Sequence, residues 1–368
     1  MRRYLGGFIW VFTLLIVAIG LAALYSASFH NPRVSQKVFY DQLFVAFAGC
    51  GLMFLMSRLD YHHLYDSAYV CYGLIVFLLI LVLVSGRHAL GAQRWLSVGR
   101  LSFQPSEFAK LFYILAMARY FSNCRPAISF RYLNFSYSLW RNLLLPLLLT
   151  LLPMLLIFKQ PDLGTALLFF GIFLVMLFMS QLEYRYLFSL LGLCLIATPL
   201  GWFILKPYQK DRLLVFLNPN IDPLGAGYTI IQAKIAIGSG QLWGKGWLAG
   251  TQNQLNFLPE RHTDFIFSVI GEEWGLLGTG ILLLCYAVVV ACGLRVAEQI
   301  KDRFGMQLAV GITAILSLQV VINMGMVMGL CPVVGLTLPL VSYGRSSFLV
   351  FMIMLGVLVN LSKRRRVF

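Results

Sequence analysis

The stretch Leu258-Pro259-Glu260-Arg261-His262-Thr263-Asp264-Phe265-Ile266-Phe267 places an acid, Asp264, at the mouth of a long apolar run. A carboxylate held where an apolar helix meets an aqueous cleft can take a proton from a hydroxyl, work that contributes about 10²–10⁴-fold in rate. Glu260 and His262 stand close by in the same stretch. A second acid, Asp162 in Lys159-Gln160-Pro161-Asp162-Leu163-Gly164-Thr165, interrupts two apolar runs. At the start of a helix it fits a cap and a site residue equally, since either role uses the positive end of the helix. A third group runs Gly91-Ala92-Gln93-Arg94-Trp95-Leu96-Ser97-Val98-Gly99 and on to Gln104-Pro105-Ser106-Glu107-Phe108-Ala109-Lys110. Pro105 suits a first helical turn, which puts Glu107 and Lys110 on one helix face. A structural ion pair is the plain reading of those two; the cost of ionisable groups at a bilayer edge argues for function.

These residues need elements to hold them, and composition says which. The 368 residues are 60% hydrophobic and 12% charged, too few charges to coat a soluble fold. The apolar residues come in unbroken runs, with no charge from Phe8 to Phe29, Gln42 to Ser57 or Ser67 to Gly86. Such runs have the length that crosses hydrocarbon as a helix. Further runs at 107–121, 143–158, 163–182, 186–205, 265–293, 306–330 and 339–361 predict an all-α polytopic membrane protein of about ten transmembrane helices. It forms one integral membrane domain, with a long outer loop over 206–264 between helices 7 and 8.

An even number of crossings leaves both termini on one side. The basic ends, Arg2-Arg3 and Lys363-Arg364-Arg365-Arg366, and the arginines of intervening short loops (Arg58, Arg119, Arg125, Arg131, Arg141, Arg185) assign that side to the cytoplasm. The first apolar run is of span length with no clear small-residue cleavage pattern after it, so no cleaved leader is required.

About half of the 29 Lys and Arg then face outward, among them Arg94, Lys110, Arg212, Lys234 and Lys245. A long loop crosses regardless of charge, which covers 206–264; it covers the short 86–106 loop less well, and an anionic ligand at the outer face explains both. The outer loop exceeds the length of a plain connector. Pro207-Tyr208-Gln209-Lys210-Asp211-Arg212 and Asn218-Pro219 read as turns, and 227–237 as an amphipathic helix at the interface. The glycines of Gly238-Ser239-Gly240 and Gly244-Lys245-Gly246 can form anion-binding nests, but no Walker spacing is present, which argues against nucleotide binding. Glu272 or Glu273, inside the next apolar run, fits an internal pairing with a basic residue on another helix. Seven scattered cysteines without a Cys-x-x-Cys pair argue against a disulfide framework or zinc site.

Taken in chain order, Arg94-Trp95 with Gly99, Gln104-Pro105-Ser106-Glu107 with Lys110, Gln160-Pro161-Asp162-Leu163-Gly164-Thr165, Pro259-Glu260 with His262-Thr263-Asp264-Phe265, and Leu338-Pro339-Leu340-Val341-Ser342-Tyr343-Gly344 resemble the SEDS family, named for shape, elongation, division and sporulation. The resemblance covers essentially the whole chain, and the short tails resemble its elongation branch. It implies a peptidoglycan glycosyltransferase that polymerises lipid II at the outer face of the bacterial cytoplasmic membrane, with a class B penicillin-binding protein as partner. It implies Asp264 as the catalytic acid and Ser342 among the ligand contacts. The family's usual Ser-Tyr-Gly-Gly-Ser reads Ser-Tyr-Gly-Arg-Ser here, with Arg345 after Gly344.

Granted that substrate, the chemistry follows. An acceptor hydroxyl must be made nucleophilic and a departing pyrophosphate neutralised, by cations or by a divalent ion such as Mg or Mn. One displacement inverts the anomeric centre, so no second, nucleophilic carboxylate is needed. The rival readings are a lipid II flippase, which requires a basic path between both faces, and a non-catalytic scaffold of a cell-wall synthesis complex, which leaves Asp264 free to change. Nascent glycan-lipid and membrane lipids are the other expected partners; nucleic acid is not.

Overall fold

A computed structural model describes residues 4–29, 32–89, 92–98, 101–124, 140–180, 184–205, 207–223 and 225–363. Its first three helices are α1 (Leu5–Ser28), α2 (Pro32–Met56) and α3 (His62–Ser85). Then come α4 (Pro105–Asn123), α5 (Leu145–Lys159, entered through the wide turn Trp140–Leu144), α6 (Leu163–Met179) and α7 (Tyr184–Ile204). The outer segment holds α8 (Pro207–Leu217) and α9 (Ala226–Gly240). The chain closes with α10 (Ile266–Gln299), α11 (Arg303–Met328) and α12 (Arg345–Lys363).

Each of the ten apolar runs overlaps one of these helices, the last beginning in the turn ahead of α12. Among the described residues, seven helices are long and apolar enough to cross a membrane, and α6 is a shorter apolar helix. The molecule is inside-out relative to a soluble protein. Phe44, Phe47, Val70, Val84 and Phe203 are exposed, while Glu107, Lys110, Glu272, Gln319 and Asn323 are buried. An apolar exterior costs nothing against lipid, and polar groups are retained only where the bundle encloses and pairs them.

Helix α11 is the axis. It packs against α4, α6 and α10, while α12 packs on α2 and α1 on α10. Small residues let these helices approach. A Cβ on Gly311 of α11 would meet the side chains of Ile114 on α4 and Met176 on α6, and one on Gly20 of α1 would meet the backbone of Val341 at 2.7 Å.

Two connections differ from the sequence reading. The 86–106 loop is a small antiparallel meander of β1 (Arg87–Ala89), β2 (Ala92–Val98) and β3 (Leu101–Phe103), in that order across the sheet. β2 and β3 pair Leu96 with Phe103 and Ser97 with Ser102. In the outer loop, 207–212 is the opening of α8 instead of a turn: Pro207 stands at its first position, where the missing N–H costs nothing. Asn218 does turn the chain, its side chain accepting from the Asn220 N–H at 3.1 Å. Residues 227–237 are helical as expected, within α9. Arg125 and Arg131 of the expected cytoplasmic loop, and Arg2, Arg3 and Arg364 to Arg366 of the basic ends, lie outside the described residues.

The glycines expected to form anion nests have other tasks. Gly238 and Gly240 lie within α9. α10 is kinked at Gly275 (φ 65°, ψ −157°), a left-handed conformation that frees carbonyls on one side and amides on the other. The 241–246 strand of chain repairs the break. Its Lys245 and Gly246 amides donate to the carbonyls of Glu272 and Glu273, both at 3.0 Å. The Leu276 and Leu277 amides donate to the carbonyls of Gln241 and Leu242 at 2.9 and 3.2 Å. Glu272 pairs internally with a basic residue, though one of this loop and not of another helix: Lys245 Nζ lies 2.7 Å from its Oε1. Glu273 accepts from the Ser26 hydroxyl on α1. Of the amides the second nest would offer an anion, those of Lys245 and Gly246 are therefore spent on α10, and that of Gly244 on the Gly240 carbonyl at 2.7 Å.

Candidate active site

The site is built where three turns converge ahead of α6, α10 and α12. The first is a tight turn over 260–265. Glu260 takes a left-handed backbone (φ 49°), and its carbonyl accepts from the amides of Thr263 and Phe265 at 3.1 and 3.3 Å. Asp264 thereby sits two residues before α10 begins. The second is the 330–344 segment, stitched to the first. The Tyr343 amide donates to the His262 carbonyl at 2.8 Å, and the Ser342 hydroxyl donates to the Thr263 carbonyl while accepting from the Leu338 amide at 2.8 Å. The third is the 160–165 turn, where the Asp162 side chain caps α6 by accepting from the Thr165 amide at 3.2 Å. It abuts the second, because a Cβ on Gly164 would lie 2.6 Å from the Val334 carbonyl oxygen.

Asp264, Glu260 and Asp162 form an acidic group with Arg212 as counter-charge. The Asp264 carboxyl is pushed up to about 6: burial is the main cause, Glu260 and Asp162 add to it, and Arg212 and the hydrogen bond from Thr263 oppose it. Such a carboxylate is ionised at neutral pH yet a stronger base than an exposed aspartate. Arg212, on α8, donates to the Val333 carbonyl at 3.2 Å and so joins the outer helix to the second turn.

The other expected site residues are distributed around this centre. Arg94 reaches the 160–165 turn from β2. It donates to the Gln160 carbonyl at 3.0 Å and to the Pro161 carbonyl, and its guanidinium is 3.9 Å from Asp162. Its fork thus covers the carbonyl end of α5 and anchors the acid that caps α6. Trp95, next on β2, is half-buried and pairs in register with Arg87. His262 is pushed down to about 4, by burial and by the charge of Arg261, so at neutral pH it is a neutral hydrogen-bonding group and not a cation.

Lys234 is exposed on α9 and lies over Gly329, the left-handed cap of α11, where a Cβ would collide with its ammonium. A cation there complements the negative end of α11. Gln104 caps no amide with its side chain; its backbone N–H takes the Ser346 hydroxyl of α12 at 3.1 Å.

Glu107 and Lys110 are brought together but closed off. Lys110 Nζ donates to both carboxylate oxygens of Glu107 at 2.8 Å and to Gln319 Oε1 at 3.1 Å, and no part of Lys110 is exposed. All three of its donors are engaged, so its link to the site runs through Gln319. Gln319 passes the connection on by donating to the Thr337 carbonyl at 2.9 Å. Asn323, one turn further, donates to the Leu336 and Asp264 carbonyls at 2.6 and 3.0 Å. Neither amide was singled out from sequence. The available signal was two amide side chains four apart within an apolar run, hence on one face of one helix.

The oxygen donors a divalent ion would take are Asp264, Glu260 and Asp162. Among the described residues no three His, Cys, Asp or Glu side chains converge as a ligand set.

The family model for cell cycle proteins of the FtsW, RodA and SpoVE type matches residues 7–367. The chain belongs to this family. It is 43% identical to the peptidoglycan glycosyltransferase MrdB of Escherichia coli K12, covering 86% of this chain and 84% of that protein. It is 32% identical to the peptidoglycan glycosyltransferase RodA of Treponema pallidum, covering 96% of each. Among solved structures, the fold matches a chain of a peptidoglycan synthase complex described as coordinating polymerization and crosslinking, with TM-score 0.79, 34% identity and 96% of each chain covered. It also matches the crystal structure of the rod shape determining protein RodA of Thermus thermophilus, with TM-score 0.70, 32% identity, and 97% of this chain and 96% of that one covered. Like these FtsW, RodA and SpoVE relatives, the chain is a multi-pass membrane protein, and the motif resemblance read from its sequence holds.

Proposed function

We propose that this chain polymerises lipid II into glycan strands at the outer face of the bacterial cytoplasmic membrane, in cell elongation, with Asp264 as the general base. The coarser statement, a glycosyltransferase of peptidoglycan synthesis, rests on the near full-length identity to MrdB and RodA. The single observation that carries the finer one is the environment of Asp264, a carboxyl raised to about 6 where three turns meet. Asp264 takes the proton from the acceptor sugar hydroxyl as that oxygen bonds to the anomeric carbon of the donor. The anomeric bond to pyrophosphate breaks on the opposite side, and the configuration inverts. Arg212 stands close enough to bias Asp264 and is placed to receive developing negative charge; Lys234 and Arg94 are cations on the flanking elements. Trp95, Gln104, Glu260, His262 and Ser342 are further substrate contacts in this reading, and Ser342 also staples the turn that carries Asp264.

Both termini lie in the cytoplasm in this reading, supported by the basic ends and short loops. The relative seen in a peptidoglycan synthase complex supports a class B penicillin-binding protein as partner, which would join the glycan product to cross-linking. The test is purified protein given fluorescent lipid II. Polymer supports the enzyme; translocation without polymer supports a flippase, and neither supports a scaffold.

A further inference from the structure

We propose that Asn323 is a positioning residue for Asp264, an inference that rests on the assignment of Asp264 as the base. Asn323 is fully buried in α11, the most enclosed of the long apolar helices. Its side-chain Nδ2 spends one hydrogen on the carbonyl of Asp264 (3.0 Å) and the other on the carbonyl of Leu336 (2.6 Å). The opposite amide orientation would face Oδ1 to two carbonyl oxygens, so the partners themselves fix which way the amide points.

Those two carbonyls belong to two of the three turns that converge at Asp264. Leu336 follows Gly335, which takes a left-handed backbone (φ 73°) and whose missing Cβ would lie 3.5 Å from Asp264 Oδ2. The stretch that walls the carboxylate and the stretch that carries it therefore hang from one amide. Ser342 and Tyr343 staple the 330–344 segment to Thr263 and His262 of the 260–265 turn. Asn323 supplies a tether from a different element, which fixes the turn relative to the bundle and not merely to its neighbour loop. Gln319, four residues earlier on the same face, grips the adjacent Thr337 carbonyl and is itself held by Lys110. The buried ion pair of α4 is thus connected through Gln319 and Asn323 to the backbone of the base. A base displaced by about 1 Å costs on the order of 10²-fold in rate, while distant contacts that bind the lipid are untouched.

The experiment compares Asn323→Ala and Asn323→Asp with the parent protein at matched folded concentration, using fluorescent lipid II polymerisation across pH 5 to 8. Asp keeps the shape but loses the donors. Positioning predicts a fall in kcat of about 10–100-fold with KM for lipid II within about twofold. It also predicts a displaced acidic limb of the pH profile, because the surroundings of Asp264 change. Unchanged kcat and pH profile in a folded variant overturn it. So does failure of both variants to accumulate as folded protein, which assigns Asn323 to architecture alone. Asp264→Asn is run in parallel: if it retains activity, the base assignment itself fails, whereas an inactive Asp264→Asn beside fully active Asn323 variants removes only the positioning role.

Discussion

Lys110 Nζ lies 2.8 Å from each carboxylate oxygen of Glu107, and the pair is enclosed between α4 and α11 with Gln319 as the third acceptor. A pair so closed has the geometry of an internal structural ion pair. Removing one partner leaves a buried unpaired charge, which typically costs about 3–5 kcal/mol.

Lys110→Met should therefore lower the amount of folded protein and its melting temperature in detergent before any effect on substrate affinity is seen. The double variant Glu107→Gln with Lys110→Met should recover most of the loss. Fluorescence-detected size exclusion after a heat step measures both. A Lys110→Met protein of normal stability with weakened lipid II binding would instead assign Lys110 a direct anion contact.

Asp264→Asn should abolish polymerisation, by about 10²–10⁴-fold, while membrane insertion and abundance stay near normal. The sign of its stability effect is also fixed. Folding raises this carboxyl from 3.8 to about 6, so between those values the folded state binds the proton more tightly and stability falls as pH rises. The Asn variant escapes that loss, and it should melt no lower than the parent at pH 7.5. A thermal shift series over pH 4–8 checks it.

Polymerisation by the parent protein should rise with pH through about 6, as Asp264 ionises. His262, held neutral down to about 4, should contribute nothing to that limb. A profile flat from pH 5 to 8 would separate the rate from Asp264.

Gly275→Ala should be strongly destabilising. Its φ of 65° with ψ of −157° excludes an L side chain, and an added Cβ would lie 2.4 Å from the Gly244 amide nitrogen. Loss of the kink would also displace the 241–254 loop and with it the Lys245–Glu272 pair. Abundance of the full chain in membranes reads the outcome.

A reporter fused within 215–225 should read extracytoplasmic, and one within 125–135 cytoplasmic, from the charge bias of the short loops. Reversal of both would move the site to the other face.

The unbroken apolar runs determined the helices, because a chain with so few charges must satisfy its backbone within each segment and meet lipid outside. The motifs around Asp264, Asp162 and Arg94 were legible for the same reason: polar residues at the ends of apolar runs stand out. The reading lost accuracy where local composition was ambiguous. Pro207 to Arg212 has the residues of a turn and opens a helix; Gly244 and Gly246 have those of an anion nest and serve the α10 kink. Only the tertiary structure decided which polar groups answer which. It closed the Glu107–Lys110 pair against Gln319 of α11, spent the fork of Arg94 on the end of α5, and hung the backbone of Asp264 from Asn323, a residue 59 positions away. Those outcomes depend on separate elements, β2 with α5 and α11 with α4 and the turn before α10, meeting in space, and no local pattern encodes the distance between side chains on different elements.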